Sequence, residues 1–291
     1  VITNLLQVCA TFYRSKCYNY LEKTKEILFM PSTYAHARLG NDAEKCADEK
    51  IKGIIERNRD CYALGLHGPD LLFYFKPLTA NKINAIGYGI HERFASEFFK
   101  RAKDIFEKRG KREADEAYLL GFLCHFALDS EGHPIVNAEM KDKNISHTEI
   151  ETAFDRHLLL KDGKDPFGTD LTAHIKDTEQ TRSAAAAYFN VTEKQAEKAI
   201  RSIKFYNKLI NSDGKFTRGM VTLLLKISGN WKLMHGTMLP LELKPVWQDG
   251  INGLSAAYEN AVKKAARLME NYDGYLCGNC ALSAELDRDF E

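Results

Sequence analysis

The sequence predicts an all-α fold, a single multi-helix domain, on three observations. Apolar residues recur at three- and four-residue spacing in stretch after stretch; no segment alternates apolar and polar residues over a convincing strand length; and no Pro/Ser-rich linker or internal repeat divides the chain. At 291 residues the chain is long enough for one large domain or two modest ones. Without a linker the expectation is one domain of roughly eight to ten helices over residues 30–291, with 1–29 as an N-terminal extension. A hydrophobic content of 44% supports a substantial core, and a formal net charge of +1 provides no general field to draw in nucleic acid or an anionic membrane. A charged substrate must therefore be recognised locally, which argues against a dedicated DNA-coating role.

Taken in order, residues 1–29 mix aromatic and basic side chains (Phe12, Tyr13, Arg14, Lys16, Tyr18) without a clean period, which sets them apart. Met30-Pro31 then leads into Ser32-Thr33-Tyr34-Ala35-His36-Ala37-Arg38-Leu39-Gly40, where a histidine sits among small residues that let a helix pack closely. From Asp42 to Arg57, Cys46, Ile51, Ile54 and Ile55 mark an amphipathic helix with a charged outer face. Gly65, Gly68 and Pro69 turn the backbone just before an apolar run, and Asp70 at that entry is either a helix cap or a ligand. His67 beside it is either a supporting partner or exposed. Gly87 opens a helix to about Lys108, with Phe94, Phe98, Ala102 and Phe106 on its buried face and His91 in its first turn.

The stretch from Tyr118 to Leu160 concentrates side chains of the metal-ligating kind in an apolar frame. His125 and Asp129 are four residues apart in a helical repeat, so an imidazole and a carboxylate point the same way, one turn apart. Gly132 and Pro134 are expected to end that helix and leave His133 at a corner. A second helix opens at Ser146, with Glu149 reaching back in a capping box and Ile150, Phe154 and Leu158 as its buried stripe. His147 and Glu151 on it repeat the four-residue step. The series H-x3-D-x3-H-x13-H-x3-E supplies the nitrogen and oxygen donors that Zn²⁺ prefers. Five such groups pushed toward an apolar core, each costing roughly 1–3 kcal/mol when unpaired, are most simply compensated by metal.

Beyond Leu160, the segment DGKDPFGTD forms a loop, and His157 and His174 lack a partner at ligand spacing, so both read as structural. Thr192 to Ile210 carries a T-x-x-Q cap, Thr217 to Ile227 reads as a strongly apolar buried helix, and Ser255 to Tyr272 is amphipathic. Trp231 and His235 fall in an irregular segment between them. Seven scattered cysteines form no disulfide framework, and Cys277-x-x-Cys280 alone is a weak metal signal. No run approaches the roughly 18 apolar residues of a membrane span. VITNLLQVCATFY lacks a basic leader and cleavage site, so the expected location is cytoplasmic.

With these residues together, the sequence resembles the zinc-dependent phospholipase C family, all-helical enzymes with a trinuclear zinc site. The likeness rests on PSTYAHARLG, GLHGPDLLFYF and the H-x3-D … H … H-x3-E series; it covers roughly Pro31 to Leu160 and, more loosely, the helical remainder. It implies one metal on Asp70, His91, His125 and Asp129, and a second on His133, His147 and Glu151. A third would use His36 with Asp129 bridging, so two or three Zn²⁺ ions are expected. One departure concerns that third site: the family binds it through a free amino terminus, usually a tryptophan, whereas Val1 lies 35 residues ahead of His36. Either the third site is absent or the mature chain starts near Pro31.

Zinc can lower the pKa of bound water to about 7 and take up charge on phosphate oxygens. The resemblance therefore implies hydrolysis of a phospholipid phosphodiester, with transient contact at a membrane surface; the near-zero net charge argues against stable nucleic-acid binding, and Asp70 is the ligand chosen to double as general base. Two alternatives stay open. A single-strand nuclease or 3′-nucleotidase shares the fold and ligand set and would want stacking platforms, for which Tyr74, Phe75 and Tyr88 are candidates. A non-catalytic, zinc-stabilised helical protein is the other, although structural zinc sites are closed and rich in cysteine.

Overall fold

The computed structural model describes residues 32–290 except 78, 80, 144, 228–230 and 232–234, and every described element is helical. The proposed 1–29 extension and the Pro31 terminus lie outside the described residues. The order is α1 (Thr33–Cys46), α2 (Glu49–Arg57), α3 (Arg59–Gly65), a 3₁₀ segment (Gly68–Tyr74), α4 (Lys82–His91), α5 (Ala95–Lys108), α6 (Glu113–Lys143) and α7 (His147–Lys161). There follow α8 (Glu179–Phe189), α9 (Glu193–Ile210), α10 (Lys215–Ile227) and α11 (Gln248–Leu276). The all-α expectation holds.

Helix α6 is the axis. From Ala114 to Ser130 it is buried on nearly every side, and a helix apolar all round can only sit inside a protein. α11 runs along it, and α3 crosses it where two glycines meet: a Cβ on Gly65 would strike the Tyr118 carbonyl, and one on Gly121 would strike the Tyr62 carbonyl. The main chains touch there because neither residue has a side chain. This contact sets the height of His125, one turn beyond Gly121.

Four expectations about the helices need correction. Pro134 lies inside α6, so His133 is mid-helix and not at a corner. Proline in a helix interior costs about 3 kcal/mol through a lost hydrogen bond and a clash one turn back. Here Lys264 of α11 clamps that turn, donating to Ser130 Oγ and to Glu131 Oε1 at 2.9 Å each, and packing along α11 outweighs the cost. His125, Asp129 and His133 therefore form one stripe at i, i+4 and i+8, spanning about 12 Å of a single helix.

The predicted helix 42–57 is two helices, because Asp48 caps α2 by accepting the Ile51 N–H at 2.8 Å. The predicted helix 87–108 also splits, since α4 starts earlier, at the Asn81 cap, and ends at His91, while Ala95 donates its N–H to the Arg288 carbonyl at 2.8 Å. His91 thus closes one helix and does not open another, and Phe94 between the two is 53% exposed. Finally, α10 is not buried: only Val221 and Leu225 face the core. The α7 and α9 capping boxes form as the sequence reads.

Candidate metal centre

Each candidate ligand is held by its element. His36 lies in the first turn of α1, whose start is tied to α7: the N–H groups of Tyr34 and Ala35 donate to Asp155 at 3.0 and 2.8 Å. Asp155 is one turn beyond Glu151, so the same anchor joins two parts of the site. Its carboxyl is pushed well above the ordinary range by burial, against the pull of those two amides. Asp70 enters on the 3₁₀ segment just after Gly68, whose φ of +42° suits glycine and whose Cβ would overlap the His125 ring. The bare backbone at Gly68 lets Asp70 approach α6.

The eight residues converge in an inner and an outer cluster. In the inner one, His125 Nε2 is 2.9 Å and His91 Nε2 3.6 Å from Asp129 Oδ2, and Asp70 Oδ1 is 3.1 Å from His91 and 3.8 Å from His125. His36 Nε2 reaches the other oxygen of Asp129 at 3.4 Å and stacks on His125 at 4.5 Å between ring centroids. In the outer cluster Glu151 Oε1 is 3.1 Å from His147 and 3.8 Å from His133. Three groups place their ligand atoms within 4.8 Å of one another: His36, His125 and Asp129; Asp70, His91 and His125; His133, His147 and Glu151.

The donor set fits zinc. Two ligands each about 2.0–2.1 Å from a tetrahedral ion sit roughly 3.4 Å apart, and the separations above straddle that value. Buried nitrogens and oxygens of His36, Asp70, His91, His125, Asp129, His133 and Glu151 have no hydrogen-bond partner, a costly state unless a cation pairs them. The rings are also pre-aimed: His91 Nδ1 meets the Gly87 carbonyl at 2.9 Å and His133 Nδ1 the Phe290 carbonyl at 2.7 Å. A carbonyl only accepts, so Nδ1 carries the proton in both and the Nε2 lone pair points inward.

Electrostatics point the same way. Burial, with neighbouring His125, takes His36 down to about 3, so it stays neutral and able to ligate. His91 moves up to about 10, because the adjacent carboxylates of Asp129 and Asp70 favour its charged form and overcome the opposing effect of burial. Asp129 is held well below the carboxylate range by His125 and His133 despite burial. Without metal, a proton on His91 supplies the positive charge these carboxylates require.

A cavity of about 30 Å³ bordered by Ser32, Asp129, His133 and Glu151 lies between the clusters, close to the volume of one water. A larger cleft of about 580 Å³ between α1 and the loop at 162–176 touches none of the eight ligands. His147, with its side chain 18% exposed, is the most open of them and marks the mouth.

Other sequence readings resolve here. Tyr74, Phe75 and Tyr88 are buried, Tyr88 stacked on Phe73 at 4.5 Å, so none is a stacking platform for a base. His67 and His174 pair through their Nε2 atoms at 2.8 Å, a contact 107 residues apart that no local spacing reveals. Sequence reasoning also missed Asp155 and Phe290, whose roles arise from long-range packing alone. Cys46, Cys61, Cys124, Cys277 and Cys280 are free thiols.

Fold and site together define an all-α protein with buried histidine–carboxylate clusters of the kind that hold several metal ions. The model of the zinc dependent phospholipase C family matches residues 32–209, more than half of the chain, and the chain belongs to that family. No curated protein and no solved structure matches it. Among the described residues no helix is long and apolar enough to cross a membrane.

Proposed function

We propose that the protein is a phospholipase C, hydrolysing the phosphodiester of a phospholipid on two or three zinc ions. Asp70, His91, His125 and Asp129 would hold the first and His133, His147 and Glu151 the second. A third would lie between His36 and Asp129, with His125 within reach. The observation that carries this reading is the inward convergence of buried, partnerless donor atoms from His36, Asp70, His91, His125, Asp129, His133 and Glu151, in a chain of this family.

Zinc bound here supplies a Lewis acid that makes water nucleophilic near neutral pH and offsets charge on the phosphate oxygens. The protein's own part is positional. Asp70, whose Oδ1 has no hydrogen-bond partner, takes the proton of the attacking water, while α6 holds His125, Asp129 and His133 in line on one helix face. Burial excludes bulk water and strengthens every charge interaction inside. The burial of Tyr74, Phe75 and Tyr88 favours lipid over nucleic acid.

Metal content measured beside turnover on a phospholipid, an oligonucleotide and a chromogenic phosphodiester tests the proposal. The expected result is two or three zincs per chain and lipid turnover, abolished in His125→Ala and His147→Ala with the helical signal retained. Oligonucleotide turnover without lipid turnover would install the nuclease reading, and tight zinc with no turnover the structural one.

A further inference from the structure

Helix α10 carries the largest cluster of exposed apolar side chains among the described residues. Phe216 is 83% exposed, Ile227 75%, Leu223 57%, Leu224 56% and Met220 42%. Their positions, i, i+4, i+7, i+8 and i+11, lie on one face of a helix, opposite Val221 and Leu225, which attach α10 to the core. The face is therefore continuous and points away from the protein. It also lies beyond the 32–209 span that the family model matches.

The charge on the helix narrows the choice of occupant. Lys215, Arg218 and Lys226 are its charged residues, and it contains no acid. Lys215 and Lys226 fall one quarter-turn to the side of the apolar stripe, the arrangement of a helix lying in a lipid interface with basic residues at headgroup level. Arg218 donates to the carbonyls of Ser212 and Leu239 at 3.3 and 3.0 Å, contacts that leave its positive charge in place; Asp213, outside the helix, is the acid whose charge acts on it. Lys226 lies 5.2 Å from the centre of the Trp231 ring, and tryptophan favours the same interfacial depth.

Position completes the argument. From Ile227 eight residues lead to His235, a span of at most about 28 Å. There the 3₁₀ turn His235–Thr237 packs on the mouth of the metal site: Gly236 accepts the Thr152 hydroxyl at 2.9 Å and abuts Ser146 and Thr148, on either side of His147.

We propose that α10 docks the protein on an anionic lipid bilayer, its apolar face inserted and its basic flank on the headgroups, beside the opening at His147. The purpose assigned to this contact rests on the phospholipase reading; the contact itself does not. A net charge of +1 is consistent with it, since attraction comes from the helix and not from the whole molecule.

The test uses the full chain with vesicles of phosphatidylcholine alone or with about 30% phosphatidylglycerol, a content at which each basic residue near the surface adds about 1 kcal/mol, roughly fivefold, to binding. Sedimentation measures binding, and tryptophan fluorescence localises it, because Trp247 is buried and the other tryptophan is Trp231. The expected result is binding to the anionic vesicles with a blue shift, weakened by salt. The double substitution Leu223→Glu and Leu224→Glu lowers binding at least about tenfold. Lys215→Glu with Lys226→Glu removes the preference for anionic lipid. Both variants keep the wild-type melting temperature and, within about twofold, turnover of a soluble short-chain phospholipid, while turnover on vesicles falls.

Equal vesicle binding by wild type and the leucine variant overturns the proposal. So does a wild-type dimer that this variant dissociates, which assigns the face to a second copy. A lowered melting temperature without vesicle binding also overturns it, and assigns the face to another part of the chain. Vesicle binding without turnover of the short-chain lipid leaves α10 as proposed and removes the phospholipase reading instead.

Discussion

The inner and outer clusters use the same two donor groups, imidazole and carboxylate, but are built in opposite ways. The inner one draws His36, Asp70, His91, His125 and Asp129 from α1, the 3₁₀ segment, α4 and α6, across 93 residues of chain, and every side chain is at most 6% exposed. The outer one draws His133, His147 and Glu151 from two consecutive helices, and His147 opens to solvent. One is a product of the finished core; the other is close to a local motif that the α6–α7 pair can present by itself. An ion in the inner cluster should be held tightly and exchange slowly, and one in the outer cluster should be the exchangeable ion nearest the substrate.

The contrast can be broken most forcefully at Asp129, the carboxylate whose one oxygen faces His36 and whose other faces His91 and His125. Asp129→Ala is expected to lower turnover at least about 100-fold, the upper end of what losing a mere outer-shell partner costs, and to empty the inner cluster while one ion stays on His133, His147 and Glu151. Metal analysis showing the reverse, an empty outer cluster and a filled inner one, would dissolve the distinction.

Phe290 tests the long-range character of the inner cluster. Its ring packs 5.2 Å from His91 and 5.1 Å from Phe126 between centroids, fully buried near the end of the chain. Phe290→Ala is expected to destabilise the protein by about 3–5 kcal/mol, read from denaturant unfolding, and to loosen the inner ion more than the outer. Unchanged unfolding would mean that the end of the chain supports neither.

Chelation sharpens the comparison without mutation. Under excess chelator the outer ion should leave roughly tenfold faster than the inner, since it has fewer protein ligands and an open face. Release of all ions in a single phase would show that the clusters behave as one unit.

The last test concerns acid, and it lies outside both clusters. Burial holds His174 down to about 4 and His67 well below its ordinary value. Depressed histidines are neutral in the folded chain but take up protons when it unfolds, so their contribution is intact above about pH 6.5 and is lost as pH falls toward 4. For His174 the loss is on the order of 2–3 kcal/mol. His174→Gln keeps a polar partner for His67 and should show a shallower loss of metal-free stability over that window; superimposable pH profiles would reject the assignment.

The sequence itself carried the helical class, the capping boxes and the ligand types, because each depends on short spacing. Ser146 and Glu149 are three residues apart, as are Thr192 and Gln195; His125 and Asp129 are four apart, and these intervals have one geometric meaning in a helix. Helix ends were less legible. Pro134 reads as a terminator in isolation, and only the clamp from Lys264, 130 residues away, shows why α6 continues. Residues 217–227 look like core because apolar content cannot distinguish a helix covered by protein from one facing out.

What the chain determined alone, then, is which side chains are available and which of them share a helix face. Which ones meet was decided by tertiary structure. Asp70 and His91 join His125 only because glycines at 65, 68 and 121 let backbones close on α6, and His91 and His133 aim inward only because carbonyls at Gly87 and Phe290 hold their far nitrogens. Local spacing is encoded over one or two turns, whereas a metal pocket requires angstrom-scale agreement among segments separated by many tens of residues, and packing of the whole core is what supplies it.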